Sequence, residues 1–448
     1  MKRILLIIAL LVVTSAVAQR GTPNTNAIRG EGHAPYRTRF MSYDIRGEAE
    51  RGEPRGSKYY QHLSFVLRPG GETPVYEEIV NIPSLWLERD IYIRDKGHTG
   101  RYLLTVNGTS VGVNSDTWGG GDFYITPYLK EGENRLTMEF RNNIPGDELE
   151  FFTWDVPLSP IENLYIWSQP KIHVLDYTIA GYPNAEGTEG VVELDVVMVN
   201  GYNFPEKVNV GFDIYDPAGN LKSYTFTDVT IRGLGADTVH LRDKLFGFQK
   251  YFYTAEQPSL YKVVITVKYA GRPIEYIPLR LGFGATEWDG ERVLRGGVPL
   301  TLTIAEWDED KYQGQKSALA QLRYLKQQDF NTLYLHHPAH EWFYDMCERE
   351  GMYVIDCASV ECDPRGDDRG VGGTVANAPK YLSRFIDRQQ SLYYRGRNRA
   401  NIVGWNIGTP SGNGYNMYKS YQWLKAADPT RMVIYDGVGG EWNSDVWE

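Results

Sequence analysis

The chain has 448 residues, of which 42% are hydrophobic and 23% are charged, so it is long and apolar enough to form packed cores. At about 100–200 residues per domain, this length predicts two to four domains. The formal net charge of −10 argues against nucleic acid as the main partner, because a phosphate backbone favours a basic surface.

Residues 1–18 have the pattern of a signal peptide. A basic start is followed by an apolar run from Ile4 to Val13, which is too short to span a bilayer. Ala16 to Ala18 has the small-x-small pattern that precedes cleavage. We therefore predict export, a mature chain that begins at Gln19, and a periplasmic, cell-surface or extracellular location. No later apolar run is long enough for a transmembrane segment.

The next part of the chain is predicted to be all-β. Residues 19–39 are rich in Gly, Asn, Thr and Pro, which is typical of a mobile leader. Residues 40–160 contain short alternating apolar runs, such as His62–Leu67 and Arg101–Val106, between turn signals. Asn107-Gly108 predicts a hairpin turn, and the pattern as a whole predicts a jelly-roll domain.

Residues 161–284 continue the β pattern. Predicted strands include Val191–Val197 and Val263–Val267, and residues 216–220 predict a turn. Strands that recur about every ten residues within about 120 residues are typical of an immunoglobulin-like β-sandwich.

From residue 285 to residue 448, predicted strands alternate with predicted helices, which indicates a parallel sheet. A complete (β/α)8 TIM barrel takes about 250 residues, so we expect an incomplete barrel. Its open edge would be an aggregation hazard unless a protein partner or self-association covers it. The predicted strands are 302–305, 332–335, 353–355, 402–407 and 432–435, and the predicted helices are 316–328, 341–350, 381–395 and 418–426.

Several local motifs, taken with this domain order, point to one family. Residues 124–136 read YITPYLKEGENRL, close to D-I-T-P-Y-L-K-x-G-E-N-x-L, and residues 257–261 read QPSLY, close to N-P-x-L-Y. Residues 325–331 read LKQQDFN, close to M-K-x-x-x-F-N. In these motifs the chain resembles glycoside hydrolase family 2, the β-galactosidase, β-glucuronidase and β-mannosidase family. The resemblance implies a sugar-binding jelly roll and a carbohydrate ligand.

The family's catalytic residues are not found at their expected positions. Retaining glycosidases use one carboxyl group as nucleophile and a second as general acid and base. The family's acid/base motif, W-x-x-G-N-E-S-G-x-G, reads WNIGTPSGNG at residues 405–414, so that Thr409 and Pro410 replace N-E. Proline cannot hold or donate a proton. The nucleophile belongs to the seventh strand, whereas we count five, so we expect both carboxylates to be missing.

Other acids at predicted strand ends are weak substitutes. Glu306 and Glu361 could form a new catalytic pair, with Asp308 and Asp363 nearby, although all four also fit solvated loop charges. We also expect substrate-binding residues at this end of the barrel. The histidines among them fit a capping or packing role equally well, and the tryptophan fits a place in the barrel interior equally well. The substrate-binding candidates are His336, His340, Glu361, Trp405 and Asn406.

Two further features concern the loops and the cysteines. Trp118 lies in a glycine-rich loop and could stack on a sugar. Cys347 is expected to be a small buried residue on a helix, and a Cys357–Cys362 disulfide is an open alternative. The cysteine spacing fits no metal motif, and we expect no metal and no cofactor.

Three functions remain open at this stage. The first is a secreted carbohydrate-binding protein that keeps the family fold without its catalysis. The second is an active β-galactosidase-like retaining hydrolase, or a fragment of one. The third is a structural subunit of a cell-envelope assembly. The substitution at Thr409 and Pro410 favours the first, and whether the chain is an enzyme stays open.

Overall fold

The computed structural model describes residues 29–30, 32–70, 73–141, 144–151, 163–308, 314–362 and 374–446. Within these ranges the strands form six sheets, and four of them build two successive β-sandwiches. A small three-stranded sheet and a five-stranded parallel sheet follow. The predicted signal peptide lies outside the described residues.

The first sandwich contains nine of the described strands, in sheets of order β1-β9-β4-β7 and β2-β3-β8-β5-β6. Residues that alternate along β8 fill the space between the sheets, as Leu136 and Met138 show. Asn107 and Gly108 have φ of 52° and 80° at the tip of the β5–β6 hairpin, which confirms the predicted turn. The strands are β1 (Tyr60–His62), β2 (Val66–Leu67), β3 (Val75–Ile82), β4 (Asp90–Asp95), β5 (Tyr102–Val106), β6 (Thr109–Asn114), β7 (Gly121–Tyr124), β8 (Gly132–Phe140) and β9 (Leu164–Gln169).

Two details of this sandwich differ from the sequence prediction. The predicted strand at residues 62–67 is two short strands, β1 and β2, which belong to different sheets. Strand β9 pairs with β4 along its whole length, so the first sandwich extends past the boundary predicted at residue 160.

Residues 32–39, here called the N-terminal segment, do not behave as the predicted mobile leader. Ala34 N donates to Asp122 O at 2.8 Å, and Arg37, which is buried, forms an ion pair with Asp122. Arg29, just before the segment, forms a buried ion pair with Asp387 at 2.5 Å. The described part of the predicted leader is therefore packed, because buried charges far along the chain hold it.

The second sandwich has a three-stranded and a four-stranded antiparallel sheet, as the predicted immunoglobulin-like domain requires. The two strands named from the sequence lie within β11 and β15. Asp216 N donates to Asn220 O at 2.9 Å, which confirms the predicted turn. The strands are β10 (Ile172–Pro183), β11 (Gly190–Asn200), β12 (Glu206–Tyr215), β13 (Leu221–Ile231), β14 (Gly235–Leu245), β15 (Tyr261–Tyr269) and β16 (Arg272–Leu281).

The last part of the described chain has the alternating β and α elements of a TIM barrel. All five strands of its sheet are parallel and follow chain order from β20 to β24. The five strands and four helices confirm the sequence prediction, with ends shifted by up to three residues. The elements are β20 (Ile304–Trp307), β21 (Thr332–Leu335), β22 (Tyr353–Cys357), β23 (Ile402–Asn406) and β24 (Met432–Ile434), with helices α3 (Gln315–Gln327), α4 (Glu341–Glu350), α5 (Leu382–Gly396) and α6 (Tyr415–Ala427).

The remaining elements are short. Two α-helices lie in the described part of the first half of the chain, and a small sheet precedes the parallel sheet. In the described ranges, no helix is both long and apolar enough to cross a membrane. These elements are α1 (Arg46–Arg51), α2 (Ser84–Leu87), β17 (Thr286–Trp288), β18 (Val293–Arg295) and β19 (Val298–Pro299).

The three cysteines are buried in the barrel part. Cys347 lies on α4 in the apolar core, as predicted. Cys357 is a thiol, and its Sγ donates to Ala358 O at 3.3 Å, so the alternative of a Cys357–Cys362 disulfide is wrong.

Candidate functional site

The carboxyl ends of β20–β24, here called the open end, are where barrel proteins carry their sites. Three loops meet there. Thr409, after β23, donates its hydroxyl to His336 O at 2.8 Å, and its N–H to Val360 O at 2.9 Å. Because His336 follows β21 and Val360 follows β22, these two bonds tie three consecutive strand ends together.

Pro410 is exposed at the open end, at the position where the family motif has its acid/base. Its ring carries no ionisable group and no N–H. The preceding Thr409 hydroxyl is already occupied by a backbone carbonyl. This turn therefore offers neither the proton donor nor the amide that the family motif supplies.

The two proposed substitute carboxylates have different surroundings. The Glu361 side chain is 26% exposed, and one of its oxygens lies 3.9 Å from His337 Nε2. Partial burial raises the pKa of Glu361, which favours a carboxyl group that can hold a proton. The Glu306 side chain is 82% exposed and lies 4.0 Å from His336 Nε2, which fits the alternative of a solvated loop charge. Asp308 is also exposed, and Asp363 lies outside the described residues.

A third carboxylate was missed by the sequence analysis. Asp436 follows β24 and accepts a hydrogen bond from the Tyr334 hydroxyl at 2.7 Å. Burial, and then the charge of Asp436, raise the pKa of this tyrosine. The bond links the second and the fifth strand of the sheet. Asp436 could have been found from the sequence, because it comes directly after a predicted strand, which is where barrel proteins carry their site residues.

The first sandwich reaches the open end through its backbone. Glu361 N donates to Leu149 O at 2.8 Å, and Phe151 N donates to Glu361 O at 2.9 Å. Between them, Glu150 is fully buried and bonds the N–H and hydroxyl of Thr117. The main chain of Glu361 is therefore held by the segment that follows the first sandwich as well as by the barrel.

Trp118 belongs to the same contact and is not the exposed aromatic that its glycine-rich loop predicts. The side chain is 8% exposed. Its indole stacks on His337, with ring centroids 5.7 Å apart and an interplanar angle of 7°, and meets the edge of His98 at 4.9 Å. Such a contact was beyond sequence reasoning, because more than 200 residues separate Trp118 from His337.

His340 lies at the contact between the barrel and the first sandwich. Its ring stacks on His98 of the first sandwich, with centroids 3.6 Å apart, and on Trp342 at 5.6 Å. Burial lowers the pKa of His340 to about 4, and burial followed by the His340 charge lowers that of His98 well below its usual value. The alternative of a packing role, left open by the sequence, fits this residue.

This stack predicts a pH dependence of stability. His340 binds fewer protons when folded than when unfolded between pH 4 and pH 6.5, so its contribution is complete above about pH 6.5 and is lost as the pH falls towards 4. Phenylalanine keeps the stacking and does not titrate. We expect His340→Phe to flatten the fall in unfolding free energy between pH 6.5 and pH 4.5 by about 1 kcal/mol per pH unit. His240→Phe, at an exposed site of the second sandwich, is the control, and equal slopes in wild type and His340→Phe would contradict the prediction.

Trp405 and Asn406 are both fully buried, and Asn406 is the last residue of β23. The Trp405 indole packs against Gly396 of α5, and its Nε1 donates to Asp428 at 2.9 Å. The predicted sugar-floor role of Trp405 is therefore wrong, because the ring lies between the sheet and its helices. Asn406 Oδ1 accepts from Gly408 N at 3.1 Å, which shapes the turn that leads to Pro410.

The fold is that of a multidomain protein, with two β-sandwiches followed by the elements of a TIM barrel. Residues 66–161 match the family described as "Glycosyl hydrolases family 2, sugar binding domain", and residues 309–447 match "Glycosyl hydrolases family 2, TIM barrel domain". The chain belongs to glycoside hydrolase family 2. The resemblance in the sequence motifs, and the fold class expected from it, are confirmed.

Curated relatives agree with this assignment. The chain is 26% identical to a β-galactosidase of Priestia megaterium over 377 residues, which is 79% of this chain and 35% of that protein. It is 24% identical to a β-galactosidase of Streptococcus thermophilus over 361 residues, which is 78% of this chain and 34% of that protein. The chain thus spans about a third of the length of these relatives.

Solved structures show the same fold at lower identity. A β-glucuronidase of Bacteroides uniformis superposes with a TM-score of 0.67 at 17% identity, over 81% of this chain and 46% of that one. A glycosyl hydrolase family 2 member of Bacteroides cellulosilyticus superposes with a TM-score of 0.70 at 18% identity, over 86% of this chain and 51% of that one.

Proposed function

We propose that this chain binds carbohydrate at the open end and does not carry out the retaining hydrolysis of its family. The observation that carries the proposal is Pro410, exposed at the family's acid/base position. Without a proton donor there, the leaving oxygen of a glycoside departs unassisted, and general acid catalysis is worth about 10²–10⁴ in rate. Because Pro410 lies inside the matched barrel region, this inference is independent of where the sequence ends.

Three side chains at the open end can contact sugar hydroxyls. His336, His337 and Glu361 are each partly exposed. The two imidazoles can both donate and accept hydrogen bonds, and an ionised Glu361 carboxylate accepts them. The His337 ring is fixed from behind by Trp118, and the Glu361 backbone is fixed by the segment around Glu150. Such preorganised polar groups lower the cost of ordering on binding.

The second candidate function is hydrolysis through a non-family carboxyl group. The raised pKa of Glu361 favours it, because a general acid must hold its proton near neutral pH. Glu361 and Glu306 would then be acid and nucleophile in place of the family pair. The high exposure of Glu306 speaks against it, since catalytic carboxylates are held in place by their neighbours. A structural subunit without sugar affinity is the third candidate.

Calorimetry with galactose, glucuronate and mannose tests the binding proposal. We expect saturable binding of at least one sugar by the wild type, and about tenfold weaker binding by Glu361→Gln, because a hydrogen bond to a charged group is lost. Glu291→Gln removes a carboxylate that is exposed near the small sheet and serves as the control. Absence of saturable binding, or equal affinities in both variants, would contradict the proposal and favour the structural subunit.

We propose further that the protein is exported and begins at Gln19 after cleavage. The basic start, short apolar run and small-x-small site support this. Mass spectrometry of the protein from the envelope or medium fraction tests it. Uncleaved protein retained in the cytoplasm would contradict it.

We also propose that a protein surface covers the outer strand β20. Ile304 is 45% exposed there, and β20 pairs on one side only within the described residues. An uncovered apolar edge strand favours pairing with another chain. Light scattering over a range of concentrations should show self-association that weakens in Ile304→Lys. A wild-type protein that stays monomeric and soluble at high concentration would contradict self-association.

A further inference from the structure

A cavity lies where the N-terminal segment, the first sandwich and helix α5 meet. These three parts are far apart in sequence, and they enclose the cavity near Asp122 of the sandwich and Arg395 of the helix. Guanidinium groups dominate its polar lining. They belong to Arg37, Arg39, Arg94 and Arg395.

Three hydrogen-bond donors in this lining have no partner among the described residues. They are Arg37 Nη2, Arg395 Nη1 and the Ser391 hydroxyl, and all three atoms are buried. The three residues are at most 6% exposed. A buried donor that lacks a partner costs about 1–3 kcal/mol, more when it is charged, so buried donors that share one cavity indicate a common acceptor.

None of these three donors has an acceptor within hydrogen-bond reach among the described residues, and the lining carboxylates are held by other donors. Asp122 receives Arg94 at 2.6 Å and 2.7 Å and Arg37 at 3.1 Å. Asp95 receives Gly97 N, the Thr99 hydroxyl and the Tyr102 hydroxyl, all between 2.6 Å and 2.8 Å.

The cavity also has an excess of positive charge. Arg37 and Arg94 share the single charge of Asp122, and Arg395 is paired with Asp356. Arg39 donates hydrogen bonds to the carbonyl oxygens of Lys96 and Gly119. Carboxylates such as that of Glu341 act on its positive charge only from a longer distance. Four cations therefore face two directly paired carboxylates, Asp122 and Asp356, and a third carboxylate, Asp95, which belongs to the lining.

We propose that this cavity binds a small oxyanion, either a free inorganic ion such as sulfate or phosphate, or the carboxylate of a sugar acid. Guanidinium groups match the geometry of such oxygens, and Ser391 adds a neutral donor. The oxyanion would accept from Arg37, Arg395 and Ser391, and would join the N-terminal segment and first sandwich to helix α5. It therefore stabilises the docked arrangement of these parts by mass action.

Thermal unfolding of the full chain with increasing sulfate, at ionic strength held constant with chloride, tests this proposal. We expect the Tm to rise with the logarithm of sulfate concentration above a half-saturating value. Ser391→Ala should raise that half-saturating concentration about tenfold, because one hydrogen bond to a charged group is lost. Ser110→Ala, at an exposed position of β6, should respond as the wild type does.

Two further ligands separate the sources of the anion. Glucuronate that stabilises more than sulfate indicates a sugar acid, the reverse order indicates an inorganic ion, and galactose, which is neutral, should have no effect through this cavity. Three results would overturn the proposal: sulfate and chloride giving the same Tm, Ser391→Ala responding as the wild type does, or a selenate-soaked crystal showing only ordered water in the cavity. Failure of sugar binding at the open end would leave these results unaffected.

Discussion

Replacing Arg388 by methionine is expected to destabilise the protein by about 3–5 kcal/mol, because removing one partner of a buried ion pair leaves the other charge uncompensated. Arg388 lies on α5 and is 1% exposed. Its Nη2 bonds Glu150 at 3.0 Å and the carbonyl of Ser115, and its Nη1 lies 3.8 Å from Asp116. One guanidinium thus joins the barrel to two buried carboxylates of the first sandwich and its following segment.

The expected loss of stability is large because Arg388 compensates the charge of buried carboxylates. Burial raises the pKa of Glu150, and the charge of Arg388 is the largest influence that lowers it. Without Arg388, Glu150 must either stay charged in a dry site or take up a proton, and both outcomes weaken the docking of the first sandwich.

Urea unfolding of wild type and Arg388→Met gives the measurement. Because the protein has several domains, the loss should appear in the first transition, where the first sandwich separates from the barrel. Arg323→Met removes an exposed ion pair with Glu350 and is the matched control, for which little change is expected. Similar unfolding profiles for both variants would contradict the role given to Arg388.

Trp118→Ala is the second large effect, with an expected loss of about 3–5 kcal/mol for truncating a buried aromatic side chain. The variant removes the ring that stacks on His337 and meets the edge of His98. We expect it to loosen the contact between the first sandwich and the open end, and so also to weaken sugar binding there.

A second tryptophan supplies the control for this variant. Trp442 is 48% exposed and packs on Tyr418 and Tyr421 near the end of the described chain. Trp442→Ala should change stability and sugar affinity far less, because most of its surface is already in water. Calorimetric unfolding and sugar titration of the two variants compare them directly, and equal losses would show that Trp118 has no special place in the interface.

The barrel part was the most predictable from sequence. Strand Thr332–Leu335 and helix Glu341–Glu350 have the predicted ends, since a short β-rich run and a capped amphipathic pattern are local signals. The turn at Asn107-Gly108 was predictable for the same reason. The meeting of the strand ends on one side was also predictable, because all strands of a parallel sheet have their carboxyl ends at the same edge.

The features that the sequence did not predict have a different cause, which is contact between residues far apart in sequence. The N-terminal segment reads as a loop, yet buried ion pairs hold it against the first sandwich. The sequence predicts Trp405 as an aromatic residue of the binding site, yet its ring is enclosed by α5 and Asp428. The sequence left His340 open between a ligand contact and a packing role, and it could not indicate that the packing partner is His98, about 240 residues earlier. No local pattern encodes such partners.

Release of free sugar from methyl β-galactoside, methyl β-glucuronide and methyl β-mannoside by purified residues 19–448 tests the central claim most directly, because methoxide is too poor a leaving group to depart without a proton. We expect no release above the buffer rate, because Pro410 cannot protonate the leaving oxygen. Turnover that is lost in Glu361→Gln and kept in Glu291→Gln would contradict the claim, and would show that a non-family carboxyl group performs the chemistry.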